Sequence, residues 1–254
     1  SLKLVCAADI GLTSIEYTCF SPAGNYSQTL SLPNTGVNTD KLNLMERFVN
    51  SFDEKCADLT IRQIHEKIDL IQNKPKNYPP LIAGLAAALA CSAFVFLLGG
   101  GLPEMICSFF GAGVGNWTKS SLGKKKITTL ASLACGVAVA ALVYLIVFRF
   151  LELEFRISPH HEAGYIGSML FVIPGFPFIT SFLDISKLDL RSGLERLIYA
   201  IMITTLASLV GWLMALTVHF KPENFAVLGL SPLVLLLLRI PASFCGVFGF
   251  SIMF

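Results

Sequence analysis

The chain has 254 residues, 54% hydrophobic and 14% charged, against roughly 45–50% and about 25% in an ordinary soluble domain. One globular core cannot hold that excess, and the long apolar runs begin only at Leu81, so composition points to an integral membrane protein with a soluble amino-terminal head. A net charge of +2 offers no clustered basic surface, which sets nucleic acid aside as a partner.

Seven cysteines stand at positions 6, 19, 56, 91, 107, 135 and 245. They lack the paired spacing of a zinc site or a disulfide framework and read as free thiols. The chain opens on Ser1 and stops inside the apolar run Gly246 to Phe254; both ends are expected to continue in a longer protein. The opening residues carry Lys3 and Asp9 and lack the apolar stretch of a signal peptide.

Residues 1–77 read as a cytoplasmic α+β head. Ser14–Phe20 and Tyr26–Leu32 are rich in β-branched and aromatic residues, and Pro22-Ala23-Gly24-Asn25 between them is turn chemistry, which predicts a β-hairpin. Leu42, Met45, Phe48, Val49 and Phe52 recur at helical spacing, with Thr39 or Asp40 as the cap. Ile61, Ile64, Ile68 and Ile71 stripe a second helix, and Thr60 and Gln63 are placed for a capping box. His65 beside that stripe has no second ligand and reads as a plain surface or boundary histidine. Lys74 to Pro80 ends helical order as a linker.

Residues 78–224 read as a five-helix transmembrane half, since a bilayer core needs roughly 20 apolar residues per helix. The predicted spans are Leu81–Leu98, Leu102–Thr118, Ile127–Phe148, Gly164–Leu183 and Leu194–Val218, and residues 225–254 begin a sixth. Lys119, Lys124, Lys125 and Lys126 follow the second span and Lys187, Arg191 and Arg196 follow the fourth, whereas the opposite loops hold only Arg149, Arg156 and Lys221. The positive-inside rule therefore places the head in the cytoplasm and the protein in the cytoplasmic (inner) membrane. Gly111 and Gly115, with Ala86 and Ala90, are spaced for close helix packing. Trp117 reads as an interfacial anchor, and its neighbour Asn116 is a candidate substrate contact.

The fourth span is interrupted by Pro174-Gly175-Phe176-Pro177. Two prolines and a glycine at membrane depth remove helix hydrogen bonds, and such breaks either expose backbone partners for small solutes or form kinks absorbed by neighbouring helices. Asp184 lies seven residues after Pro177, two helical turns on, and so shares its face. His160-His161-Glu162 has the residue types of a metal site, but adjacent histidines do not share a helix face, and no metal is expected.

Residues 174–197, PGFPFITSFLDISKLDLRSGLERL, resemble the proline-glycine, aspartate, aspartate, serine-glycine and arginine string of the threonine/serine exporter family. Tyr78-Pro-Pro80 before a small-residue first span, the Gly99-Gly100-Gly101 turn and the head extend the likeness, and Phe248-Gly249-Phe250 resembles the opening of that family's second half. The chain departs from the family pattern at Leu188, where glycine is common. The resemblance implies an exporter built of ten spans or of two separate halves, so a second transmembrane half is an expected partner, fused or separate. It carries the family motif onto Pro174, Gly175, Asp184, Asp189, Ser192, Gly193 and Arg196, which with Pro177 of the break are candidates for substrate binding or gating, and Glu104 matches an acidic position frequent in the family; Glu104 and Asp184 are the candidates for proton coupling.

Glu104 sits next to Pro103 and either couples protons or snorkels to the outer interface. Arg196 either binds solute or pairs with Asp184 or Glu195. The expected protein is an α-helical membrane protein of five to six spans that exports threonine and serine on the proton gradient, with no other cofactor. Besides solute and lipid, its expected partners are further copies of itself. A rival reading exports dicarboxylates or other small organic acids, and another makes the chain a non-transporting assembly or sensor subunit. No nucleophile–base pair or phosphate loop is present to support an enzyme.

Overall fold

The computed structural model describes residues 5–22, 24–32, 38–52, 59–75, 78–125, 127–156, 164–221 and 228–253. His160-His161-Glu162 and Lys126 lie outside them. The chain divides into two compact units, one of residues 1–77 with 179–197 and one of residues 78–178 with 198–253.

In the first unit, strands β1 (Val5–Ile10), β2 (Ser14–Ser21) and β3 (Gly24–Ser31) form an antiparallel sheet in the order β1-β2-β3. The predicted hairpin is β2–β3, and β1 is an addition to it. Cys6 stands opposite Cys19 across β1 and β2, and the two are joined as a disulfide, which corrects the reading of these two thiols as free. Helix α1 (Thr39–Asn50) is capped by Asn38, whose side chain accepts from the Lys41 N–H, rather than by Thr39 or Asp40. Helix α2 (Ile61–Gln72) begins with the expected capping box of Thr60 and Gln63. Neither helix has a fully buried residue, so their apolar stripes are only partly covered.

The second unit begins with helices α3 (Pro80–Leu97), α4 (Leu102–Lys124) and α5 (Thr129–Phe155). Pro80 starts α3 at a position whose N–H has no helical partner in any case. Gly99 ends it at φ 109°, with the Gly100 N–H returning to the Val95 carbonyl at 2.8 Å, a reversal that favours glycine. A glycine and alanine seam joins the three helices. A Cβ on Gly84 would lie 2.9 Å from the Gly113 carbonyl oxygen, and one on Gly115 would lie 2.8 Å from that of Gly136. Backbones this close are held by van der Waals packing, which is how helices associate where lipid removes the hydrophobic drive.

Between α5 and the next long helix the chain makes a short helix α6 (Gly164–Gly167), a 3₁₀ turn (Leu170–Val172) and helix α7 (Gly175–Ser186). The predicted fourth span is therefore broken, with a bend of 61° between its two parts. Pro174 precedes α7 and Pro177 lies in its first turn, where proline costs no hydrogen bond. The two prolines begin a new helix instead of kinking an old one.

Helices α8 (Leu190–Thr217) and α9 (Pro232–Met253) complete the chain. Helix α9 runs through Arg239 and Pro241, as transmembrane helices tolerate proline. Among the described residues four helices, α3, α5, α8 and α9, are long and apolar enough to cross a membrane, five spans if the bent pair is counted as one. Helix α4 falls outside that count because its sequence LPEMICSFFGAGVGNWTKSSLGK is diluted by an acid, glycines and polar residues. It also carries Lys119 and Lys124 on the helix, where the sequence predicts a loop.

Candidate functional site

Asp184, Asp189, Ser192 and Arg196 converge on the turn between α7 and α8. Helix α7 closes with the Asp189 N–H on the Asp184 carbonyl at 3.0 Å and the Leu188 N–H on that of Ile185 at 3.0 Å, the pairing of a Schellman motif. Leu188 takes φ 64°, the left-handed conformation that glycine adopts without strain, so the departure from the family pattern keeps the turn. Asp189 then caps α8, its Oδ1 accepting from the Ser192 N–H at 3.3 Å.

Gly193 brings the two helices together: a Cβ there would meet Ile185 Cγ1 at 2.6 Å and the Ser181 carbonyl oxygen at 3.1 Å. The buried Ser181 hydroxyl donates to the Gly193 carbonyl at 2.7 Å. Across the same hairpin Arg196 pairs with Asp184, which answers the choice between Asp184 and Glu195 as its partner.

The β1–β2 turn grips the first turns of α8. The buried Ser192 hydroxyl donates to the Ile10 carbonyl, and the Leu12 N–H donates to Glu195 Oε2 at 2.7 Å. Asp9 and Glu16 are directly opposed on β1 and β2, an arrangement unfavourable for two like charges. Arg191 offsets it by pairing with Asp9, with Glu16 at 3.7 Å and with Glu195 at 3.6 Å. Gly11 is needed at this contact, since a Cβ would lie 2.8 Å from Glu195 Oε2. Sequence reasoning passed over Asp9, Glu16, Arg191 and Glu195 as a group. The one local signal was the Arg191/Glu195 spacing of four residues on a helix.

In the second unit Glu104 is 1% exposed, in the first turn of α4. Its Oε2 accepts the Gly101 N–H at 2.9 Å, and a Cβ placed on Gly164 would meet Glu104 Cβ at 2.6 Å and the Tyr144 hydroxyl at 2.7 Å. The acid, the fully buried Tyr144 of α5 and the start of the broken span thus share one point. One turn on, the Ser108 hydroxyl is fully buried with no hydrogen-bond partner among the described residues, and it lies beside Gly167 of α6.

Farther along the same face of α4, Gly111 packs on Ser168 and Gly115 on Phe171, and the Lys119 ammonium lies 5.6 Å from the Phe171 ring centroid. Asn116 is buried, its amide donating to the Ala83 carbonyl at 2.8 Å, a polar tie between α4 and the start of α3. Glu104 and Asn116 belong to the second unit, and the group at the α7–α8 turn belongs to the first. A shallow cleft of about 420 Å³ on α8, lined by Thr204, Thr205, Ser208, Leu209 and Trp212, contains none of the expected site residues.

Comparison with known proteins agrees with a transport role. The family described as "putative threonine/serine exporter" matches residues 1–219. A Klebsiella aerogenes protein named "probable succinate transporter subunit YjjP" is 24% identical over 82% of this chain and 77% of its own length. Its namesake from Escherichia coli K12 is 30% identical over 58% of this chain and 56% of its own. No solved structure matches.

Proposed function

Because this chain belongs to the threonine/serine exporter family, we propose that it is one part of a proton-coupled secondary transporter that exports small polar amino acids, with Glu104 as the proton carrier. The observation that carries this is a carboxylate 1% exposed against the first residue of a broken span. An ionisable group is costly at such depth and is by default functional. Interrupted helices are where transporters place solute and coupling-ion sites. A buried acid suits the ammonium of a zwitterion, and it would repel a dianion unless protonated.

In this reading the head lies in the cytoplasm. Asp184, Asp189, Ser192 and Arg196 set the α7–α8 turn that follows the break at Pro174, Gly175 and Pro177, and so act on gating more than on solute contact. A second transmembrane half, fused or separate, completes the pathway, in keeping with relatives named as subunits.

The same names favour a second reading, export of a dicarboxylate such as succinate. Efflux of preloaded labelled threonine and labelled succinate, from cells making the complete transporter, decides between them. Glu104→Gln keeps an acceptor for the Gly101 N–H but cannot release a proton. Efflux of one solute, lost both in that variant and with an uncoupler, supports proton coupling through Glu104 and names the solute. Wild-type efflux from Glu104→Gln cells removes that role. Efflux no greater than from empty cells for either solute leaves the assembly or sensor subunit reading.

A further inference from the structure

The sheet of the first unit holds two cysteines that the transport reading does not use. Cys6 on β1 is directly opposite Cys19 on β2, with Cα atoms 4.2 Å apart, the close approach of a non-hydrogen-bonded antiparallel pair. Cys6 is exposed and Cys19 half-buried, so a small thiol reagent reaches the pair.

Strand β1 is the edge of the sheet, with β2 alone beside it, and all six of its residues are exposed. Little side-chain burial therefore holds it in place. Yet the end of this strand and the turn after it deliver Asp9 to Arg191, the Ile10 carbonyl to Ser192 and the Leu12 N–H to Glu195. A weakly packed strand carries the grip on α8.

We propose that Cys6 and Cys19 are a reversible redox pair that sets how firmly β1 holds the first turns of α8. The oxidant is a low-molecular-weight disulfide. The Cys6 thiolate, formed by loss of its proton to solvent, attacks one sulfur of that disulfide and expels a small thiol, leaving a mixed disulfide. The Cys19 thiolate then displaces the second small thiol and forms the Cys6–Cys19 bond. Two protein thiols are oxidised, and one small disulfide is reduced to two thiols. Oxidation ties β1 to β2 across a sequence separation of 13 and removes conformational freedom from the edge strand. Reduction leaves β1 on its ladder hydrogen bonds and its contacts with α8.

The test uses full-length protein in detergent micelles, equilibrated with dithiothreitol or with oxidised glutathione. Alkylation and mass spectrometry follow the two cysteines, and hydrogen exchange follows the β1 amides. The expected result is joint protection of Cys6 and Cys19 from alkylation in oxidised glutathione and their return in dithiothreitol. With it, exchange in β1 slows at least about tenfold on oxidation. Cys6→Ser and Cys19→Ser should exchange at the reduced rate in both buffers. The proposal is overturned if the thiols stay reactive in oxidised glutathione, if the bond survives dithiothreitol, or if β1 exchanges equally in the two states. None of these outcomes depends on which solute is carried.

Discussion

Glu104 and Asp184 are both acids near glycines in helical segments, but their surroundings differ. Glu104 is enclosed, with a backbone N–H on its carboxylate and with Tyr144 and Gly164 against it. Asp184 faces a permanent cation, Arg196, with 21% of its side chain still in water. The first arrangement encloses an acid among packed helices. The second ties its acid to Arg196 in a clasp across the α7–α8 hairpin. A motif rich in charge can thus be the scaffold, while the enclosed acid is the better candidate for coupling. Each prediction below breaks one side of this contrast, from the largest expected effect to the smallest.

The enclosure around Glu104 depends on α4 approaching its neighbours closely. On Gly115 a Cβ would lie 2.6 Å from Ala140 Cβ and 2.8 Å from the Gly136 carbonyl oxygen, whereas on Gly123 of the same helix it would meet nothing within 4 Å. Gly115→Ala should cost about 1–3 kcal/mol through overpacking. Gly123→Ala should gain about 0.5–1 kcal/mol from helix propensity. Thermal unfolding of the purified protein in detergent measures both; equal midpoints would mean that the seam is looser than described.

On the other side, Asp184→Asn leaves Arg196 without its counter-charge. The two side chains retain 26% and 21% exposure, so water screens the pair and the loss should be near 1 kcal/mol. A cycle with Arg196→Gln isolates the coupling, because the double variant should lose less than the two single losses added. If the losses add, the clasp contributes nothing. Strong loss of efflux from Asp184→Asn with unchanged stability would move Asp184 from scaffold to transport.

Local patterns made much of this fold legible. The capping box at Thr60, the β2–β3 hairpin and the interruption at Pro174-Gly175-Phe176-Pro177 all follow from neighbouring residues. Strand β1 was missed because Val5-Cys-Ala-Ala-Asp-Ile10 lacks the alternation of a half-buried strand, and the structure exposes both its faces. With β1 unrecognised, the partners of Arg191, Ser192 and Glu195 could not be named: they lie about 180 residues upstream. Glu104 stood out as an acid beside a span. Its contacts with Tyr144 and Gly164 come from packing between distant segments, which periodicity does not encode.

The α7–α8 turn allows the mildest test. Leu188 is 83% exposed, so its side chain contributes little packing, yet its φ of 64° places Cβ against the following carbonyl at a cost of about 1–2 kcal/mol. Glycine removes that strain but adds freedom to the unfolded chain, which takes back about 0.5–1 kcal/mol. Leu188→Gly should therefore raise stability by about 0.5–1 kcal/mol, and Leu188→Val should lower it, because a branched Cβ fits the left-handed region worse. That order in unfolding midpoints would show that the turn, and with it the Asp184–Arg196 clasp, tolerates leucine without depending on it. The reverse order would mean that the leucine side chain has a partner, and the clasp would then rest on that contact as well as on its charges.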